Sequence, residues 1–227
     1  MRRAFSMIEL IVSIVVIGIA FMSIPLILAE TSRNVETSFR QEAVMAGLTQ
    51  VVNILSYRWD EQETNETING GYAKILDTDG DVNLSCRDFT DGRRRVGNFK
   101  GTYRRKCYNT QRSATPPGQL GSDGGDLDDI DDLMGSGQAL IAQSATGGKT
   151  DYKRSYTSDI NVTYISDDFD YTLKTLSGTI STSPATVSTN IKMVQSTVIS
   201  DNGERVVLRA FSTNIGEIKY YYRNVEP

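Results

Sequence analysis

The sequence contains no histidine, and its 227 residues include two cysteines, Cys86 and Cys107. The missing imidazole removes Ser-His-Asp triads, histidine-ligated zinc and histidine acid–base chemistry together. The nucleophile chemistry left is of the Ser–Lys or carboxylate kind, and no motif points to either, so the chain does not read as an enzyme. No internal repeat is visible. Charge is also missing locally, since the 20 residues from Leu10 to Ala29 carry none.

That uncharged run is the most informative stretch. At about 1.5 Å rise per residue it spans about 30 Å, the thickness of a hydrocarbon core. Arg2 and Arg3 precede it, so the N-terminus is expected to stay cytoplasmic and the bulk of the chain to be exported. A secretory signal peptide is the competing reading. Against it, the basic region is very short, the apolar run exceeds the roughly 7–15 residues of a signal h-region, and no small-x-small site follows cleanly.

One carboxylate, Glu9, stands near the start of this segment. An acid inside a membrane helix costs roughly 2.5–3.5 kcal/mol near the centre and less near an end. Arg2 lies seven positions away, whereas neighbours on a helix are three or four apart. The partner is therefore expected on another molecule, or to be created by processing. A free α-amino group on Phe5, exposed by a cut after Ala4, would serve in a staggered stack of helices.

The residues Arg2-Arg3-Ala4 followed by Phe5-Ser6-Met7-Ile8-Glu9-Leu10 resemble the prepilin signal of type IV pilins and type II secretion pseudopilins. The resemblance implies cleavage between Ala4 and Phe5 by a prepilin peptidase, methylation of the Phe5 amine, and assembly into a filament through Glu9. Gly18 falls where the family often has glycine. The residue before the cut is usually Gly and is Ala4 here, and the helix proline usually comes one residue later than Pro25. The implied protein is a minor pilin or pseudopilin, anchored in a bacterial inner membrane with its head in the periplasm and partnered by other pilin subunits. Rival readings are a DNA-capturing competence pilin and an unrelated membrane-anchored exported protein.

Residues 30–60 read as a continuation of the anchor helix, with larger apolar residues at Val44, Leu48, Val51, Val52, Leu55 and Trp59 forming a one-sided stripe. Pro25 lacks an amide donor and is expected to free the carbonyl near Phe21; a separate soluble helix would require a break between Pro25 and Ser32. Residues 61–150 are punctuated by Gly-Gly, Asp-Gly and Pro-Pro-Gly and read as loops. Strand patterns follow at 161–166, 171–176, 191–200, 205–211 and 217–222, with Asp201-Asn202-Gly203 as a hairpin turn. The expected fold is α+β: a 1–4 leader, a 5–29 membrane helix, its 30–60 continuation, and a 61–227 head with an antiparallel sheet.

Three clusters carry candidate chemistry. Cys86 and Cys107 are expected to pair in an exported head, closing a loop of about 20 residues worth roughly 3 kcal/mol in the chain-entropy model. Asp77, Asp79, Asp81 and Asp88 stand at positions 1, 3, 5 and 12 of a segment similar to an EF-hand Ca²⁺ loop, although position 6 is Val82 rather than Gly. A second acidic run, Asp123, Asp126, Asp128, Asp129, Asp131 and Asp132, resembles in composition the Ca²⁺ loop of major pseudopilins. A solvated Asp-Gly turn and an acidic loop are the respective alternatives. Between the cysteines, Arg93, Arg94, Arg95, Arg104, Arg105 and Lys106 are interleaved with Phe99 and Tyr103. They could meet DNA phosphates and bases, or face the acidic residues of the same or a neighbouring chain.

Overall fold

The structure is a computed structural model. It describes residues 6–63, 72–90, 92–95, 105–121, 125, 127–140, 155–170, 174–175 and 177–218. One helix, α1, runs unbroken from Met7 to Ile54. Ser6 caps it in an extended conformation, and its hydroxyl accepts the Glu9 amide at 3.4 Å. Ser6 and Glu9 thus stand at the N-cap and N3 positions, the sequence spacing of a capping box. The helix passes through Pro25 without a break, so residues 30–54 continue the anchor helix and do not form a separate one. It is the one helix among the described residues long and apolar enough to cross a membrane.

The helix stops at Ile54, six residues short of the expected end at Asp60. The amides of Ser56 and Tyr57 reach back to the carbonyls of Asn53 and Ile54, and the Ser56 hydroxyl takes the Asn53 carbonyl as well. These short-range bonds close the last turn and swing Trp59 and Asp60 inward, where both are buried.

The head sheet is antiparallel. Its long strands are β4 (Tyr156–Asp167), β6 (Ile191–Ser200) and β7 (Arg205–Thr213), paired in the order β4-β6-β7. The free side of β4 is shared by β3 (Gly135–Ala139) near one end and β5 (Ile180–Pro184) near the other. A two-residue ladder, β1 (Cys86–Arg87) with β2 (Arg94–Arg95), lies apart. The turn joining β6 to β7 is the expected one, with Gly203 at φ 82°, a backbone state glycine enters without a Cβ penalty. The strands 161–166, 191–200 and 205–211 lie where the alternation put them. The 171–176 pattern does not form a strand at Lys174–Thr175, which make a bend, and 217–218 are irregular; 219–222 lie outside the described residues. The short strands β3 and β5 escape the sequence pattern because Gly-Ser-Gly and Ser-Thr-Ser-Pro carry no apolar alternation.

The last three turns of α1 lie on β6 and β7 through Ala43, Gly47, Val51 and Ile54. This face differs from the expected stripe. Leu48 is 45% exposed and Val52 59% exposed, because the contact uses small residues that let helix and sheet approach. A Cβ on Gly47 would stand 2.7 Å from Leu208 Cδ1 and 2.8 Å from Val198 Cγ2. Gln50 fixes the fit. Its amide donates to Ser158 Oγ on β4 at 2.8 Å, and its carbonyl accepts from Ser196 Oγ on β6 at 3.1 Å. The result is a long N-terminal helix packed on an antiparallel sheet, an α+β fold.

Gly47→Val is expected to lower stability by about 1–3 kcal/mol through overpacking, read as a shift in the urea midpoint of the detergent-solubilised protein. Gly18→Val, with no neighbour within 4 Å, should leave that midpoint nearly unchanged.

Candidate functional site

Glu9 lies in the first turn of α1, on a stretch from Ser6 to Ser38 that is exposed throughout. Its amide bonds to Ser6, and an acidic side chain at a helix N-terminus also opposes the positive end of the helix dipole. Glu9 therefore has a local role that its membrane setting alone did not suggest. Ala4 and Phe5 lie outside the described residues.

The disulfide between Cys86 and Cys107 is formed, bridging 21 positions, and both cysteines pack with Ile75. Beside it the first acidic loop is occupied by protein donors. Arg93 grips Asp77 with two parallel bonds, Nη1 to Oδ2 at 3.1 Å and Nη2 to Oδ1 at 3.0 Å, the bidentate geometry of a strong ion pair. The same guanidinium donates to the carbonyl of Cys86 at 3.2 Å. The Asp79 amide binds Ser188 Oγ, and Asp81 accepts the Asn190 amide at 2.5 Å. Asp88 is exposed and meets Arg93 Nε at 3.4 Å. Asp77 and Asp88 thus share Arg93 while Asp79 and Asp81 face the Ser188–Asn190 segment, and among the described residues no group of three acidic or cysteine side chains is placed to hold a metal.

In the second acidic run, Asp123 and Asp126 lie outside the described residues. The remainder is a turn built on its own carboxylates. Asp129 Oδ1 accepts the amides of Asp131 and Asp132, and its Oδ2 accepts that of Glu61. Asp132 accepts the amides of Asp128 and Asp129. Buried carboxylates here replace the backbone acceptors an irregular segment would otherwise lack.

The basic residues divide as well. Arg95 donates to Asn190 Oδ1, Arg94 stacks on Phe89 at 3.8 Å, and Arg105 donates to the Gly216 carbonyl at 2.6 Å. Lys106 is half-buried, while Arg104 lies outside the described residues. Arg93, Arg95 and Arg105 thus bond to groups within the head.

The most buried polar centre was not singled out from the sequence. Lys192 on β6 is wholly buried. All three of its N–H donors are used: Trp59 carbonyl at 2.8 Å, Asp60 Oδ2 at 3.1 Å and Asp131 Oδ1 at 2.6 Å. Asp60 also accepts from Gln62, the Thr115 amide and hydroxyl, and Tyr164. Asp131 Oδ2 accepts the Gly121 amide at 2.9 Å. The rings of Trp59 and Tyr164 lie 4.8 and 5.4 Å from Nζ, within cation–π range. Burial alone would drive the Lys192 amine toward neutrality, but the carboxylates of Asp60, Asp131 and Asp129 outweigh it and raise its pKa. A lysine within an apolar strand, Ile191–Ser200, was the available signal.

A cleft of about 370 Å³ opens beside this centre, between Leu55–Trp59 and Phe211–Glu217, with Glu63 on its wall. Glu63 accepts the Trp59 amide at 2.9 Å. Burial pushes its carboxyl up to about 7, against the Trp59 bond and with help from Asp60 and Glu217. Asp129 is likewise pushed up to about 7 by burial first and by Asp131 next.

A raised carboxyl pKa means the folded state keeps a proton that the unfolded chain has released. Stability from Glu63 is then lost as pH rises from 4.5 to about 7. Wild-type protein is therefore expected to lose stability relative to Glu63→Gln across that window, with a constant difference above it, measured as urea midpoints at successive pH values. Lys192→Met leaves Asp60 and Asp131 buried without a cation and is expected to cost about 3–5 kcal/mol, read in the same denaturation experiment. Set against protein-family models, curated proteins and solved structures, the chain matches none.

Proposed function

We propose that this protein is a minor pilin or pseudopilin of a type II secretion or type IV pilus-like filament. In this reading it is inserted in the bacterial inner membrane, cut between Ala4 and Phe5 by a prepilin peptidase, and assembled with other such subunits through its N-terminal helix. The observation that carries the proposal is the division of α1. Its segment up to Ser38 is exposed, and apolar as far as Ala29, while Ala43–Ile54 is fixed to the sheet. A helix exposed over more than half its length needs a surrounding of its own, first lipid and then neighbouring helices. The Phe5-to-Glu9 motif supplies the register, Glu9 of one subunit meeting the Phe5 amine of the next.

Glu9→Gln keeps a side-chain acceptor at the N3 position, and so the capping-box spacing, but removes the charge. The expected outcome is normal removal of residues 1–4, read by N-terminal peptide mass, with loss of the subunit from sheared or cross-linked filament fractions. Retention of the leader in the wild-type protein, or undiminished incorporation of Glu9→Gln, would overturn the proposal.

A further inference from the structure

We propose that Lys192 and Asp131 are joined by a side-chain amide bond that the folded head forms by itself. The amine and the Asp131 carboxyl are in contact at 2.6 Å, both buried, and both held from behind. Lys192 is fixed by the Trp59 carbonyl and Asp60, and Asp131 by the Gly121 amide. Two reactants immobilised in contact have already lost the translational freedom that makes amide formation slow in water.

The neighbours fit the roles the step requires. A proton passes from Lys192 Nζ to Asp131 Oδ1, leaving an amine and a carboxylic acid. The nitrogen lone pair attacks Asp131 Cγ, and the C–N bond forms. Charge developing on Oδ2 meets the Gly121 N–H, a donor already in place for it. Asp60, 3.1 Å from Nζ, takes a second proton from the nitrogen and delivers it to the Oδ1 hydroxyl. The C–O bond breaks and one water leaves; nothing is oxidised or reduced. The rings of Trp59 and Tyr164 beside Nζ restrict the return of water that hydrolysis would need. Asp129, with its carboxyl pushed up to about 7, keeps a further proton close to the site.

The test is mass spectrometry of the full-length protein extracted from membranes, reduced and denatured. The expected intact mass is lower by one water than the sequence requires, after allowance for the N-terminus found on the same sample. Digestion should yield one branched peptide carrying Lys192 and Asp131, and Lys192 alone should resist acylation in denaturant. Asp131→Asn should give the same branched peptide by loss of ammonia, and Asp60→Ala should give both peptides unlinked. A wild-type chain of full mass with Lys192 acylated overturns the proposal. So does a water loss that maps to ring closure at Asp79-Gly80 or Asp91-Gly92.

Discussion

In its ionic form, a single lysine buried on a central strand and shared by two aspartates organises this head. Lys192 belongs to β6, Asp60 to the segment leaving the helix, and Asp131 to the acidic turn. Removing such charges from water costs several kcal/mol each, recovered only when every donor and lone pair finds a partner. Here the three N–H groups of Lys192 are all matched, and Asp60 accepts from five donors. Among the described residues between the helix and β4, the ladders are β1 with β2 and β3 with β4, besides isolated bridges. In addition to the β3 pairing with β4, the attachments of this segment to the sheet include this centre, Tyr164 reaching the Thr115 carbonyl at 2.7 Å, and Asn214, whose amide group pairs with both backbone groups of Leu76.

The remaining charges follow the same economy on a smaller scale. Arg93 closes on Asp77 next to the disulfide, and Arg95 and Asp81 both engage Asn190 at the entrance to β6. Opposite charges that lie close in sequence are thereby consumed within the chain. The acidic and basic clusters look like binding sites in one dimension because composition does not reveal which partner each group has already found.

What was legible in the sequence had a period. The uncharged run Leu10–Ala29, the strands around Val162, Val194 and Val206, and the Asp-Asn-Gly turn all announce themselves by alternation, length or backbone chemistry. The helix face is legible in part: Val51 and Trp59 of the apolar stripe are buried, but small residues complete the contact. The sheet in fact receives Ala43 and Gly47, while Leu48 and Val52 stay exposed. Lys192 was passed over because a charged residue within a strand carries no periodic signature, and its partners lie 61 and 132 positions away. The second acidic run reads in sequence as either a cation loop or a plain acidic loop; in the structure Asp129 and Asp132 cap backbone amides, a role that depends on a turn the sequence does not spell out.

The grip of Gln50 on two neighbouring strands has a mechanical consequence. Its side chain touches Ser158 on β4 and Ser196 on β6 at once. A pull transmitted along the helix from its apolar end would reach β4 and β6 through this side chain, as well as the border strand β7 through Gly47 against Leu208. The ten paired positions between β4 and β6 would then keep together the two strands that this one side chain grips.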